Sequence, residues 1–330
     1  MFSGKKVLFI SPAFFGYEKS IIEELTDKGA QVDYFNERPF KSSLSKILNR
    51  LNVKIVIKNT ITKYYDSILT NCLKNKYDYL LVISPETMDR DFIEKVKSSN
   101  PEIKTILYMW DSFKNKPGSL SIMNLFDRIV SFDYYDACNF DNVDYLPLFY
   151  EPKFSVSNRT SNFKYAASFI GTIHSDRVKV ADDILNQLKA QGYNTFSFYY
   201  CPSRLLFILK KIFTGEVKHI SYSQVSFESM SKSEVSEVFK QSNCILDINH
   251  PSQTGLTIRC LESLGAKKKI ITTNESISEY DFYNPENIMI VNRHSPIIPV
   301  DFVCGKYYEL EESVYKKYSL SSWIENVFCI

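Results

Sequence analysis

Apolar residues along this chain come in two recurring patterns. Runs such as 7–11 (VLFIS), 79–84 (YLLVIS) and 105–110 (TILYMW) show no polar alternation, which predicts strands buried on both faces of a parallel sheet. Between the runs lie stretches of helical spacing. In 17–28, Ile21, Ile22 and Leu25 share one side and Gly29 stops the helix. A strand at 31–35, helices at 44–51, 61–73 and 89–97, and strands at 128–132 and 144–148 complete the first half. Residues 151–164 (EPKFSVSNRTSNFK) are polar, rich in Ser and Asn and without period, which predicts a linker. The rhythm then restarts with strand 167–170, helix 175–189, strand 195–200, helix 233–241 and strands 244–248 and 287–291. A terminal helical region at 310–327 contains Trp323. The alternation predicts an α/β chain of two Rossmann-like, doubly wound domains, 1–150 and 165–310, followed by a tail, 311–330. Two-domain binding proteins share that outline, so the pattern alone fixes no function.

The stretch 249–274 (NHPSQTGLTIRCLESLGAKKKIITTN) carries the most chemistry. Its polar, Pro-broken start reads as a loop. Leu256, Leu261 and Leu264 then mark a helix over 255–265, and 269–273 a buried strand. A helix starting near Gly255 offers backbone N–H donors and the positive end of its dipole to an anion, with Gln253, Thr254, Gly255, Leu256 and Thr257 around that start. Arg259 and Glu262, three apart, share a face. A diphosphate at the helix start, a cation beside it and a carboxylate accepting from ribose hydroxyls suit a nucleotide-sugar. An ordinary helix-face ion pair is the competing reading.

The spacing Gly255-x6-Glu262, followed by a small-residue turn and an IITTN strand, resembles the donor half of GT-B glycosyltransferases. The run from Thr257 to Gly265 is most similar to the R-x-F-E-A-x-A-x-G element of CgeB-like bacterial glycosyltransferases and of sugar transferases from capsule and O-antigen (lipopolysaccharide) clusters. Leu261 stands where that element has Phe, and three lysines follow the turn. The resemblance implies two domains facing a cleft, with the donor on the C-terminal side, the acceptor on the N-terminal side, and the final helices crossing back to the first domain. It further implies a hexosyl- or pentosyl-transferase with a nucleotide-sugar as co-substrate, no cofactor and no metal. The acceptor would be a glycan or lipid-linked glycan.

Four other stretches bear on chemistry. Residues 169–177 (FIGTIHSDR) resemble the F-I-G-x-x-x-x-x-R element of the same transferases. Gly171 ends a strand, Ser175 is a candidate N-cap, and His174 and Arg177 can supply charge-assisted donors. A plain turn with a solvated Asp176–Arg177 pair is the alternative. Phe15, Gly16 and Tyr17 form the matching turn of the first half; one glycine is far weaker than a dinucleotide fingerprint. Asp111, with Ser112, ends strand 105–110. An acid there can act as general base on an acceptor hydroxyl, position a sugar hydroxyl, or cap the next helix. Asp133 and Asp136 repeat that arrangement more weakly. Residues 204–213 (RLLFILKKIF) read either as a basic amphipathic helix on an anionic membrane or as a core helix with snorkelling lysines.

Composition narrows the classes. Hydrophobic residues make up 44% and aromatic residues 15% of 330, enough for two cores. A net charge of +2 is too small to imply nucleic-acid binding from net charge alone, and no nucleic-acid partner is expected. Seven scattered Cys without a CxxC fit thiols in a reducing cytoplasm, and four His show no metal-ligand spacing. No run reaches a membrane span, and 5–10 reads as a first strand, not a signal peptide. The expected setting is cytoplasmic, or peripheral on the inner face of the membrane if 204–213 lies on lipid. A non-catalytic sugar or nucleotide binding module, and a transferase using another phosphorylated donor such as a phosphoribosyl group, stay as competing functions. Glu262 discriminates, because a simple sugar phosphate has no need of it.

Overall fold

The computed structural model describes residues 1–38, 54–157, 159, 162–214, 217–251 and 254–330. The expected helix over 44–51 and Gln253 lie outside the described residues. The chain divides into two compact units, Met1–Pro147 with Ser321–Ile330, and Leu148–Leu320.

The first unit holds a six-stranded sheet in the order β2-β1-β3-β4-β5-β6. Its strands are β1 (Lys6–Ser11), β2 (Gln31–Asn36), β3 (Tyr79–Ile83), β4 (Lys104–Met109), β5 (Arg128–Ser131) and β6 (Asp144–Tyr145), all paired in parallel. The chain leaves β1 toward β2 on one side and returns to β3 on the other, so the order reverses between β1 and β3. On one face Leu8, Ile10, Leu80, Val82 and Leu107 pack with Ile68, Phe92, Ile93 and Val96 of the helices Lys54–Lys74 and Arg90–Ser99. Asp89 caps the latter by accepting from Phe92 N, which satisfies one of the orphan donors of the first turn. The expected strand 144–148 is only two residues long, and Leu146 N supplies its last ladder bond, to Ser131 O.

The chain's last residues pack within this unit. Trp323 meets Tyr108 edge-on at 4.8 Å, Phe328 meets Phe2 at 4.9 Å and Tyr79 at 5.1 Å, and Lys28 pairs with Glu325 at 2.8 Å. Burying a side chain of Phe328's kind contributes roughly 1.5–3 kcal/mol. The terminal helical region consists of two helices, Glu312–Lys317 and Leu320–Phe328. The break falls where Ser319 forms a bridge with Tyr150, and the first of the two helices belongs to the second unit.

The second unit's sheet runs β12-β11-β10-β7-β8-β9. Its strands are β7 (Tyr165–Thr172), β8 (Thr195–Tyr200), β9 (Val225–Ser226), β10 (Ser242–Asp247), β11 (Lys269–Thr272) and β12 (Ile288–Ile290). All are parallel, and the order reverses between β7 and β10. One face is closed by Ala181, Ile184, Leu185 and Leu188 of the helix Arg177–Ala190 over Ala167, Phe169 and Leu246. The other carries Phe154, Val235, Phe239, Ile245 and Ala266. β9 was not legible, since two residues carry no period.

Candidate functional site

In open parallel sheets, ligands sit at the carboxyl ends of the strands where the order reverses. In the second unit that point lies between Gly171–Thr172, ending β7, and Asp247, ending β10. The loops after β7, β10, β11 and β12 converge there through named bonds.

Arg177 opens its helix one residue after Asp176. Its Nε is buried without a hydrogen-bond partner. Burial lowers the guanidinium from its ordinary value, Asp247 opposes that, and Arg259 and Arg293 add to it. Burial conversely raises the Asp247 carboxyl, against the Thr257 hydroxyl, Arg177 and the Thr272 hydroxyl. Thr257 Oγ1 donates to Asp247 Oδ1 at 2.6 Å, and Thr272 Oγ1 to Oδ2 at 3.3 Å. Asp247 thus has Arg177 as its first charge neighbour and Arg259 as its second. Gly171 lies beneath this arginine: a Cβ there would stand 2.7 Å from Phe169 Cζ and 3.5 Å from Arg177 Cδ. The glycine therefore serves core packing as well as any approach of a ligand.

Arg293 ties four loops together. Its Nη1 donates to Asp176 Oδ1 at 2.6 Å, and its Nη2 to Asn249 O at 2.6 Å, Asn249 Oδ1 at 2.7 Å and Thr273 Oγ1 at 3.1 Å. Sequence reasoning missed Arg293, Asn249 and Asp247. The available signal was an acid ending the apolar run CILD and an arginine directly after the last strand.

The helix after β10 is Ile258–Gly265, with Thr257 as N-cap accepting from Cys260 N. It starts three residues later than expected. Thr254 O and Gly255 O are bound by Asn274 Nδ2 at 3.1 and 3.4 Å, which holds that segment as loop. Leu256 is buried in the packing beneath it. Arg259 and Glu262 do pair, at 2.7 Å, but Glu262 is 1% exposed, so this is not a solvated surface pair. Arg259 also stacks over Phe239 at 5.2 Å.

Ser175 is not the N-cap. That position belongs to Asp176, whose side chain caps nothing because Arg293 engages it. Ser175 instead takes a left-handed φ of 49°, a conformation unusual outside glycine and costly enough to be worth noting at a site. His174 Nδ1 lies 3.3 Å from Ser175 Oγ, and its ring is 5.5 Å from that of His250. The structure thus brings Gly171, His174, Ser175, Arg177, Thr257, Arg259 and Glu262 to one edge.

Phe15, Gly16, Tyr17, Asp111 and Ser112 lie at the carboxyl edge of the first sheet. Phe15 and Gly16 have φ of 48° and 80°, and Gly16 begins the helix Tyr17–Asp27 without a side-chain cap. Phe15 is exposed and Tyr17 buried. Phe14 stacks 6.0 Å from Trp110, joining this turn to the one after β4. Asp111 Oδ1 accepts from Asn115 Nδ2 at 2.9 Å, and Ser112 Oγ from Asn115 N at 3.3 Å, so both stabilise a turn. Asp133 caps the helix Tyr134–Asn139, and Asp136 accepts from Ser131 Oγ and Phe113 N inside the unit. Among the described residues no group of three or more His, Cys, Asp or Glu is placed to hold a metal.

No protein-family model matches the chain, and no curated protein matches it in sequence. Solved structures do match in shape. The lipopolysaccharide outer core galactosyltransferase WaaB superimposes with a TM-score of 0.53 at 12% identity, covering 98% of this chain and 99% of that one. Anabaena HepE, in complex with UDP and glucose, gives 0.57 at 9% over 98% and 99%. UDP-GlcNAc 2-epimerase of Methanocaldococcus jannaschii, in complex with UDP-GlcNAc and UDP, gives 0.52 at 14% over 99% and 100%. A transferase and an epimerase among these matches mean that the likeness speaks for architecture. The chain has the GT-B fold, two Rossmann-like α/β units each built on a parallel sheet.

Proposed function

We propose that the chain is a glycosyltransferase that takes a sugar from a nucleotide-sugar and passes it to a growing surface polysaccharide, of the capsule or O-antigen kind, on a glycan or lipid-linked acceptor. The observation that carries this reading is Arg177. A buried guanidinium with an unpartnered Nε, set where the strand order reverses, is costly unless a ligand completes it. A diphosphate is the anion that suits Arg177 with Arg259 and Arg293 nearby. With nucleotide present, ribose hydroxyls donate to Glu262 and Arg259 turns from Glu262 to the phosphates. The arginines supply the positive charge that a divalent ion supplies elsewhere, so the reaction needs no metal. Asp111 takes the proton of the acceptor hydroxyl as the new glycosidic bond forms and the nucleoside diphosphate departs. The complexes of HepE with UDP and glucose, and of the epimerase with UDP-GlcNAc and UDP, support the donor class. The WaaB name and the CgeB-like run at 257–265 support the acceptor class.

A thermal-shift screen against UDP, GDP, CDP and ADP and their sugars tests the donor site. The correct nucleotide at a hundredfold excess over Kd should add about 2.7 kcal/mol of stability. If none shifts the transition, the reading fails. Turnover with the donor so found should survive EDTA; loss on chelation with recovery on Mn²⁺ would refute the metal-free phosphate site.

A further inference from the structure

The helical segment Arg204–Leu209, continued by a wider turn over Lys210–Thr214, connects β8 to the edge strand β9. It packs by a narrow side only. Phe207 is buried, with the rings of Tyr222 and Phe227 at 6.0 and 6.1 Å, and Leu206 leans on the same core. The opposite side is apolar and open to solvent. Leu205, Ile208, Leu209 and Ile212 follow the i, i+3, i+4, i+7 stripe of one helix face, the face a surface helix normally turns inward. Exposure reaches 65% at Leu205, 64% at Ile212 and 77% at Phe213. Single exposed apolar residues need no explanation, but a contiguous stripe marks an interaction surface.

The charge around the stripe selects the partner. Between Cys201 and Phe227 the sequence has four Lys or Arg and one acid, Glu216. Arg204 and Lys218 are exposed. Lys211 is spent on structure, donating to Ile220 O at 2.9 Å and lying over Phe207. In an isologous contact a second copy would set these cations against themselves. Anionic headgroups neutralise them while acyl chains take the apolar stripe. We propose that segment 204–214 is a docking surface for an anionic lipid bilayer. The segment lies on the membrane without crossing it; among the described residues no helix is long and apolar enough to span one. The proposal does not depend on the donor-site reading, and its test involves no turnover.

Flotation of the full chain with phosphatidylcholine vesicles, with and without phosphatidylglycerol, tests it. Wild type should float with the anionic vesicles, about tenfold more weakly with neutral ones, and less in high salt. Arg204→Glu with Lys218→Glu should lose about tenfold on anionic vesicles only. Ile212→Gln with Phe213→Gln should lose about tenfold on both, with an unchanged thermal midpoint because both positions are exposed. Wild type that floats with neither, or equally with both, overturns the proposal without any variant. So does wild type that dimerises through this face, becoming monomeric in the Ile212→Gln, Phe213→Gln variant while never floating.

Discussion

The carboxyl edges of the two sheets share a plan and differ in chemistry. In each, the strand order reverses beside the first strand of the unit, and the following helix starts after a left-handed residue, Gly16 in one and Ser175 in the other. Neither helix has a side-chain N-cap. The second edge then gathers Arg177, Arg259 and Arg293 around the buried acids Asp247 and Glu262, leaving a buried donor of Arg177 without a protein partner. The first edge is aromatic, with Phe14, Phe15 and Trp110, and its acids are satisfied locally by Asn115, Ser131 and backbone N–H groups. Under the proposed function this one plan serves two tasks: the buried, incompletely bonded charge of the second edge would bind an anion, and the aromatic first edge with its partly exposed carboxylate would take an uncharged polyol and a proton from it.

The sharpest way to separate the two edges is by rate against affinity. Asp111→Asn should leave nucleotide affinity intact and lower turnover by roughly 10²–10⁴-fold, the range of general-base catalysis. Kinetics with calorimetry on the same preparation checks this; a turnover near wild type would reduce Asp111 to a turn residue held by Asn115. The next largest effect belongs to the second edge. Glu262→Ala should weaken both nucleoside and nucleoside diphosphate by roughly 1.5–3 kcal/mol, or about ten- to a hundredfold. Equal binding of wild type and variant would make the helix Ile258–Gly265 a packed helix and no more.

The smallest effect is a control at the opposite end of the second sheet. Lys268, at the amino end of β11, is also a buried cation, yet its Nζ is met by Lys240 O at 3.2 Å and it faces no reversal of strand order. Burial brings its ammonium down to about 8, with Arg159 adding to the effect. From there up to the unfolded value of about 10.4 the unfolded chain holds more protons. Folding stability should therefore rise with pH across that window, by on the order of 1–3 kcal/mol. Lys268→Met should flatten the rise in denaturant titrations and leave nucleotide affinity unchanged. A matching loss of affinity would mean that burial of any cation, and not its place in the sheet, is what the nucleotide reads.

Much of this architecture was legible because the strands are buried on both faces, so apolar runs such as 79–84 and 244–248 announce themselves. The linked positions Arg259 and Glu262 were legible from helical spacing alone. Helix starts were not. Ser175 and Gly255 both look like openings, but Asp176 and Thr257 take the cap positions once Arg293 and Asn274 have bonded the loops. Arg293 acts on Asp176 from 117 residues away, which no local pattern carries. In 204–213 seven of ten positions are apolar and they surround the helix, so the period cannot say which face is inside. Phe207 alone is deeply buried there, and the solvent-facing stripe came as a finding.

The central claim is that Arg177 holds the phosphates of a nucleotide at the carboxyl edge of the second sheet. Calorimetric titration of wild type and Arg177→Ala, with the nucleoside diphosphate and with its bare nucleoside, tests it most directly. The account predicts a loss of roughly ten- to a hundredfold for the diphosphate, from removal of a charged donor worth about 1.5–3 kcal/mol, and no change for the nucleoside. A variant that binds the diphosphate as tightly as wild type would contradict it.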